Sequence, residues 1–216
     1  MAFKNNILEF FDNKIVDTES GLEVMMDWED DIMKKSAEFI SHNKGDILEI
    51  GFGMGICADY IQAQGVNSHT IVEIHPQIIE KLKVWANGKS NVTIVEGDWA
   101  SVSGLSTYDG IFLDTFGDDS LSEFKEFALS KVKSGGKITY WNNNENEYNP
   151  YSFDLVSYEQ ISVTPDENMY TPIASNYYMP KVELLCLLLF ILTMLELYIN
   201  LQVALGTLLE MLVVEH

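Results

Sequence analysis

The chain has 216 residues, a formal net charge of -20 and thirteen basic residues, every one a lysine. That length suits one domain with a full hydrophobic core. The charge repels phosphate backbones and anionic membrane surfaces, so nucleic acid is excluded as an expected partner and a cationic or zwitterionic small molecule is favoured.

Neither Cys57 nor Cys186 belongs to a CxxC pair, and the four histidines lack metal-ligand spacing. No metal is expected, and reduced thiols in a cytoplasmic protein are. Met1–Phe11 carries Lys4 and Glu9 and no long apolar stretch, so no secretory leader is read there.

Residues 1–22 are mixed and polar, with Phe3, Phe10 and Phe11, and read as a short helix or an arm able to fold over a site. Val24–Ser41 is predicted helical: Met25, Trp28, Ile32, Met33, Ala37 and Ile40 recur at three- and four-residue steps, with acids in the first turns. Trp28 and Glu29 fall on different faces, so one core stripe does not explain both.

Asp46–Ile50 reads as a buried strand running into Gly51-Phe-Gly-Met-Gly55, and residues 56–64 as the helix that follows. Glycines there permit a tight turn and leave no Cβ where a ligand approaches the backbone. A second strand at 69–74 carries Glu73 at its tip, where an acid holds the two hydroxyls of a nucleoside ribose. Helix 77–86, strand 91–95, strand 108–114, helix 120–132, a turn at Ser134-Gly135-Gly136 and strand 137–142 complete an alternating α/β series. Leu155–Val163 and Tyr177–Leu184 read as a late strand pair, joined by a loop with Pro165 and Pro172. Such a series forms a parallel sheet covered on both faces, with ligands beyond the carboxyl ends of the strands. Those ends collect Gly51–Gly55, Glu73, Asp98, Trp99, Asp114 and Asn142.

Five ordered blocks then carry a resemblance: Val24-Met-Met-Asp-Trp-Glu29, Leu48-Glu-Ile-Gly-Phe-Gly-Met-Gly55, Ile71-Val-Glu-Ile-His-Pro76, Gly97-Asp-Trp99 and Phe112-Leu-Asp-Thr-Phe116. Together they resemble the guanidinoacetate and arginine δ-N-methyltransferase group of S-adenosylmethionine (SAM)-dependent methyltransferases, over about residues 22–142. The resemblance implies a Rossmann-like seven-stranded sheet with helices on both faces, and SAM as cofactor. It implies that Met25 and Met33 border the methionine part of SAM and that Phe52, Gly53, Met54, Gly55, Ile56 and Cys57 form its loop. Glu73 would take the ribose and Trp99 lie by the adenine. Glu49, Gly51, Ile74, His75, Asp98 and Asp114 fall in the same cofactor-binding blocks. Glu29 and Asp114 correspond to catalytic carboxylates that grip a substrate guanidinium, and Asn142 and Asn143 to the start of the substrate loop.

The chain departs from that group in three places. Phe116 stands where creatine-pathway enzymes have tyrosine, the segment before the late strand pair is short, and the tail matches no part of the family.

Two carboxylates on adjacent N–H edges bind a guanidinium bidentately and accept the proton that leaves as the N–C bond forms. The bland alternatives are that Asp114 caps the next helix and Glu29 is one more solvated acid. The expected activity is methyl transfer from SAM to a small guanidino compound. The alternatives are another small-molecule or protein acceptor, or a SAM-binding module without catalysis. A nicotinamide-dependent oxidoreductase shares the glycine loop but gives Met25–Glu29 and Asp114-Thr115 no role.

Residues 1–183 are expected to form the methyltransferase domain, with 1–22 as its arm. Residues 184–216 form a Leu-rich tail without basic residues. Its apolar run suits a buried or oligomerising helix better than a membrane span, which needs about 20 apolar residues. A membrane-associated tail and an out-of-frame segment are the other readings, and a homo-oligomer is compatible with the first.

Overall fold

The computed structural model describes residues 3–117, 121–144, 146–165, 173, 175–184 and 198. The expectation for the tail falls almost wholly outside these residues, as does Pro172 of the late loop. No helix among the described residues is long and apolar enough to cross a membrane.

Three short strands open the chain: β1 (Leu8–Phe10), β2 (Lys14–Asp17) and β3 (Glu23–Met26). They pair antiparallel as a small sheet of their own, where the sequence suggested a helix or arm. Its formation also corrects the helix expected from Val24. Residues 23–26 pair with β2, Asp27–Glu29 make one 3₁₀ turn, and α1 begins only at Asp30, running to Ile40. Helical spacing was real, but pairing satisfies the backbone of 23–26 in another way. α1 buries Ile32, Met33, Ala37 and Ile40 completely.

The main sheet comprises β4 (Asp46–Ile50), β5 (Ser68–Glu73), β6 (Val92–Glu96), β7 (Tyr108–Leu113), β8 (Val132–Tyr140), β9 (Ser157–Ser162) and β10 (Asn176–Glu183). Its order is β6-β5-β4-β7-β8-β10-β9. Neighbours from β6 to β8 run parallel, while β10 is antiparallel to both β8 and β9. Helices α2 (Ile56–Ala63), α3 (Pro76–Ala86) and α4 (Phe124–Lys131) supply the crossovers. The seven-stranded Rossmann-like sheet is therefore the observed one.

The turn expected at 134–136 lies inside β8, whose register against β7 shifts there. Lys133 fastens this stretch by ion pairs to Asp46 (2.6 Å) and Asp109 (2.7 Å), at the end of β4 and β7 remote from the glycine loop. Lys133, with Asn67 and Ser68, holds the Asp46 carboxyl down at about 2.

Between β8 and β9 no helix occurs among the described residues, as the short spacing implied. Tyr151 and Phe153 cover that edge instead. Their rings lie 4.7 and 5.9 Å from that of Tyr140.

Candidate active site

The carboxyl ends of β4, β5 and β7 converge at the glycine loop. Gly51 N–H donates to Val72 O and Asp114 N–H to Ile50 O, both at 2.9 Å, so the loop leaves between its two neighbouring strands. Gly51 and Gly53 hold φ of +89° and +53°, in the left-handed region. A Cβ on Gly51 would stand 1.8 Å from the backbone oxygen of Asp114, and one on Gly53 2.4 Å from Met25 Sδ. The positive φ agrees with the tight turn read from the sequence, and the protein's own packing adds a second reason for glycine at both positions.

A cavity of about 230 Å³ opens over these strand ends. Of the candidate residues, Met25, Met33, Glu49, Gly51, Phe52, Gly53, Cys57, Glu73, Ile74, Asp98, Trp99 and Asp114 line it. Met54, Gly55, Ile56 and His75 do not. Met54 N–H donates to Met25 Sδ at 3.1 Å, and Gly55 and Ile56 start α2. His75 caps α3, its Nδ1 accepting from Gln77 N–H at 3.2 Å while Nε2 donates to Asn6 O at 3.1 Å.

Glu73 is more than a free acceptor at a strand tip. Its Oε2 accepts from Phe52 N–H at 2.9 Å, and its Oε1 from Ile74 and His75 N–H at 2.9 and 2.8 Å. About one of its roughly four lone-pair positions is left for a ligand hydroxyl. Burial raises its proton affinity, although the three donors pull the other way. Asp98 Oδ1 accepts from Ala100 N–H at 3.0 Å.

A smaller recess adjoins the cavity, lined by Val24, Met26, Glu29, Asp114, Thr115, Phe116 and Trp141. Asp114 and its two successors line both spaces. Glu29, on the 3₁₀ turn before α1, is buried and accepts from Met26 N–H at 3.0 Å. No group among the described residues donates a hydrogen bond to the Asp114 carboxylate. Burial, with Glu49 and Glu73 adding like charge, pushes Asp114 up to about 7. Burial and then the charge of Asp114 push Glu29 well above the usual carboxylate range. Burial likewise drives the Cys57 thiol up, with Glu49 and Asp114 reinforcing it, which favours the neutral thiol.

Asn142 and Asn143 line neither space. The Asn142 side chain donates to Asn146 O (3.0 Å) and Tyr178 O (2.9 Å) and accepts from Asn144 N–H (3.1 Å). It shapes the loop after β8.

Several lining residues went unread in the sequence. Gly97, Thr115 and Trp141 lie just beyond strand ends, where ligands of such sheets collect, and that rule would have found them. Phe3 and Lys4 reach the cavity through the arm. The Phe3 ring sits 4.9 Å from His75 and 5.0 Å from Phe116.

The donor set fits a nucleoside with a cationic tail. Glu49, Glu73, Asp98 and Asp114 offer carboxylate oxygens for hydroxyls and positive charge, and Phe52, Ile74, Ile78 and Trp99 offer apolar wall.

Sheet order, reversed penultimate strand and glycine-loop cavity define the class: a Rossmann-like methyltransferase fold. The N-methyltransferase NodS from Bradyrhizobium japonicum shares it with a TM-score of 0.57 at 10% identity, over 73% of this chain and 97% of that one. Spermidine synthase from Thermotoga maritima gives 0.59 at 14% identity, over 82% and 72%.

Residues 9–149 match the family model described as guanidinoacetate N-methyltransferase, and the chain belongs to that family. Curated relatives include protein arginine N-methyltransferase 2 of Kluyveromyces lactis, 36% identical over 149 residues, which cover 62% of this chain and 36% of the relative. Its Aspergillus fumigatus counterpart is 32% identical over 197 residues, covering 79% and 46%. The chain thus spans between a third and a half of the length of these relatives.

Proposed function

We propose that the larger cavity binds SAM and that the smaller recess holds a guanidino group whose nitrogen accepts the methyl. One observation carries this reading. The paired carboxylates of Glu29 and Asp114 face a recess that shares the Asp114 wall with the cofactor-sized cavity. NodS, of the same fold, is known in complex with S-adenosyl-L-homocysteine.

When bound, SAM supplies an electrophilic methyl group on a sulfonium. Glu49 and Asp114 would meet its positive charge, and Glu73 the ribose through its remaining acceptor position. A guanidinium is a poor nucleophile while protonated, since its pKa lies above about 12. Asp114 would orient one N–H edge and take the proton as the N–C bond forms, and Glu29 would hold the adjacent edge. In-line placement of nitrogen and methyl then supplies much of the rate. Phe116 leaves this wall without the hydroxyl that tyrosine would bring.

The names of the curated relatives favour a second acceptor of the same chemistry, the arginine side chain of a protein. The test is transfer of radiolabelled methyl from SAM to guanidinoacetate, free arginine and an arginine-containing peptide, with a phenol and a simple amine as controls. Labelling of a guanidino compound but not the controls is expected. Labelling confined to the peptide selects the second acceptor, and preference for the phenol overturns the guanidino reading.

A further inference from the structure

Beneath the cavity lies a buried polar pair, of which the proposed transfer uses Glu49 and leaves His69 without a role. Glu49 on β4 and His69 on β5 are 1% and 0% exposed at their side chains, and His69 Nε2 stands 2.8 Å from Glu49 Oε2. On the other side of the ring, Gln62 of α2 presents its amide nitrogen to His69 Nδ1 at 3.2 Å. An amide nitrogen only donates, so this orientation leaves Nδ1 accepting and places the ring proton on Nε2, aimed at Glu49. The ring is fenced further by Trp85, edge-on at 6.2 Å, whose own N–H donates to Asp59 at 2.7 Å.

A carboxylate sunk this far is costly to ionise without a donor. Burial is the main influence on Glu49 and favours its neutral form, while the His69 hydrogen bond opposes that. The other carboxylate oxygen of Glu49 has no hydrogen-bond partner among the described residues, and Glu49 lines the cavity. The chain therefore builds a three-residue line, Gln62 to His69 to Glu49, that crosses from the back of α2 to the cavity wall.

We infer that His69 is a positioning residue that keeps the Glu49 carboxylate ionised and turned toward the cationic tail of the cofactor. Gln62 fixes the tautomer that lets it do so. This rests on the cofactor reading above. It adds a residue outside the cavity lining, with a ligand preference as its signature: His69 favours adenosine derivatives that carry the ammonium-bearing amino-acid tail over those that lack it.

The experiment compares calorimetric binding of SAM, S-adenosylhomocysteine and 5′-methylthioadenosine, which lacks the amino-acid tail and its charge. His69→Leu removes the donor, His69→Gln restores one, and Gln62→Met frees Nδ1. In His69→Leu, SAM and S-adenosylhomocysteine should weaken about tenfold or more, the scale of a charge-assisted hydrogen bond, with 5′-methylthioadenosine within about twofold. His69→Gln should recover most of the loss, and Gln62→Met should show a smaller loss of the same selectivity. If His69→Leu does not fold, the other two variants carry the comparison.

Equal weakening of all three ligands would mean that His69 only supports the sheet, and unchanged binding would mean that Glu49 needs no donor; either overturns the inference. A parent protein that binds none of the three overturns the cofactor reading instead, and the inference falls with it.

Discussion

The carboxylate of Glu73 accepts the backbone N–H of Phe52 at 2.9 Å, which ties the glycine loop to the tip of β5. With Ile74 and His75 as further donors, the side chain organises the loop before any ligand arrives. Glu73→Ala should therefore lower stability as well as SAM affinity. A buried donor left unpaired costs about 1–3 kcal/mol, so thermal denaturation should show a clear drop. A variant that loses SAM binding at unchanged melting temperature would confine Glu73 to ligand contact.

Gly51 and Gly53 should differ under the same substitution. At Gly53 an added Cβ meets the sulfur of Met25, near the end of a flexible side chain, so Gly53→Ala should cost about the 1–2 kcal/mol of a left-handed alanine together with the displacement of that sulfur from Met54 N–H. At Gly51 it meets the backbone carbonyl of Asp114, and only a shift of the β7 end relieves it. Gly51→Ala should be the more damaging in denaturant melts and should impair methyl transfer, because it displaces Asp114. Equal costs would show that the β7 end yields freely.

Methyl transfer should rise with pH through about 7, because Asp114 accepts no proton while it carries one and burial holds it near that value. Asp114→Asn should lower turnover by about 10²–10⁴-fold and remove the rise. A pH–rate profile with guanidinoacetate or the arginine peptide checks both. Full activity in Asp114→Asn would take this residue out of the chemistry.

The same group sets a pH dependence of stability. Its usual value of 3.8 becomes about 7 in the folded chain. Between the two the folded state binds the proton more tightly, so stability falls as pH rises through that window, and the full penalty stands above it. Asp114→Asn removes the penalty. It should be more stable than the parent at about pH 8, with the gap closing toward about pH 4. Denaturant melts across that range decide it, and a gap that does not widen with pH counts against the buried charge.

Trp141 borders the acid recess, its N–H group on the backbone donating to Leu113 O at 2.8 Å and its ring 6.4 Å from that of Trp28. An indole beside two carboxylates suits a planar cation. Trp141→Ala should raise the KM for a guanidino acceptor by about 2- to 30-fold, the range of a cation–π contact. SAM affinity should be unchanged. A neutral ureido analogue used as a competitive ligand should lose less affinity than the guanidino compound. Parallel losses would make Trp141 a packing residue.

The strands and helices from Asp46 to Ala86 lie within a residue or so of their expected bounds, because buried apolar runs, a glycine loop and proline at the start of α3 are all local signals. The glycine loop, Glu73 and the Asp114 strand end were legible for the same reason. At 23–26 the apolar spacing suits a helix, and only pairing with β2, a partner brought in by the chain's own tertiary path, makes it a strand. The role of Asn142 was decided in the same way. Its amide is spent on the backbone of Asn146 and Tyr178, and Tyr178 is distant in sequence. Trp141 and His69 carry no motif. The sheet's crossing order brings one beside Glu29 and Asp114, and sets the other behind Glu49. Local composition determined which elements form and where a nucleoside cofactor would sit. Which charges share a wall, and which are held apart by backbone donors, followed from burial and long-range pairing, because both depend on neighbours that the linear chain does not place side by side.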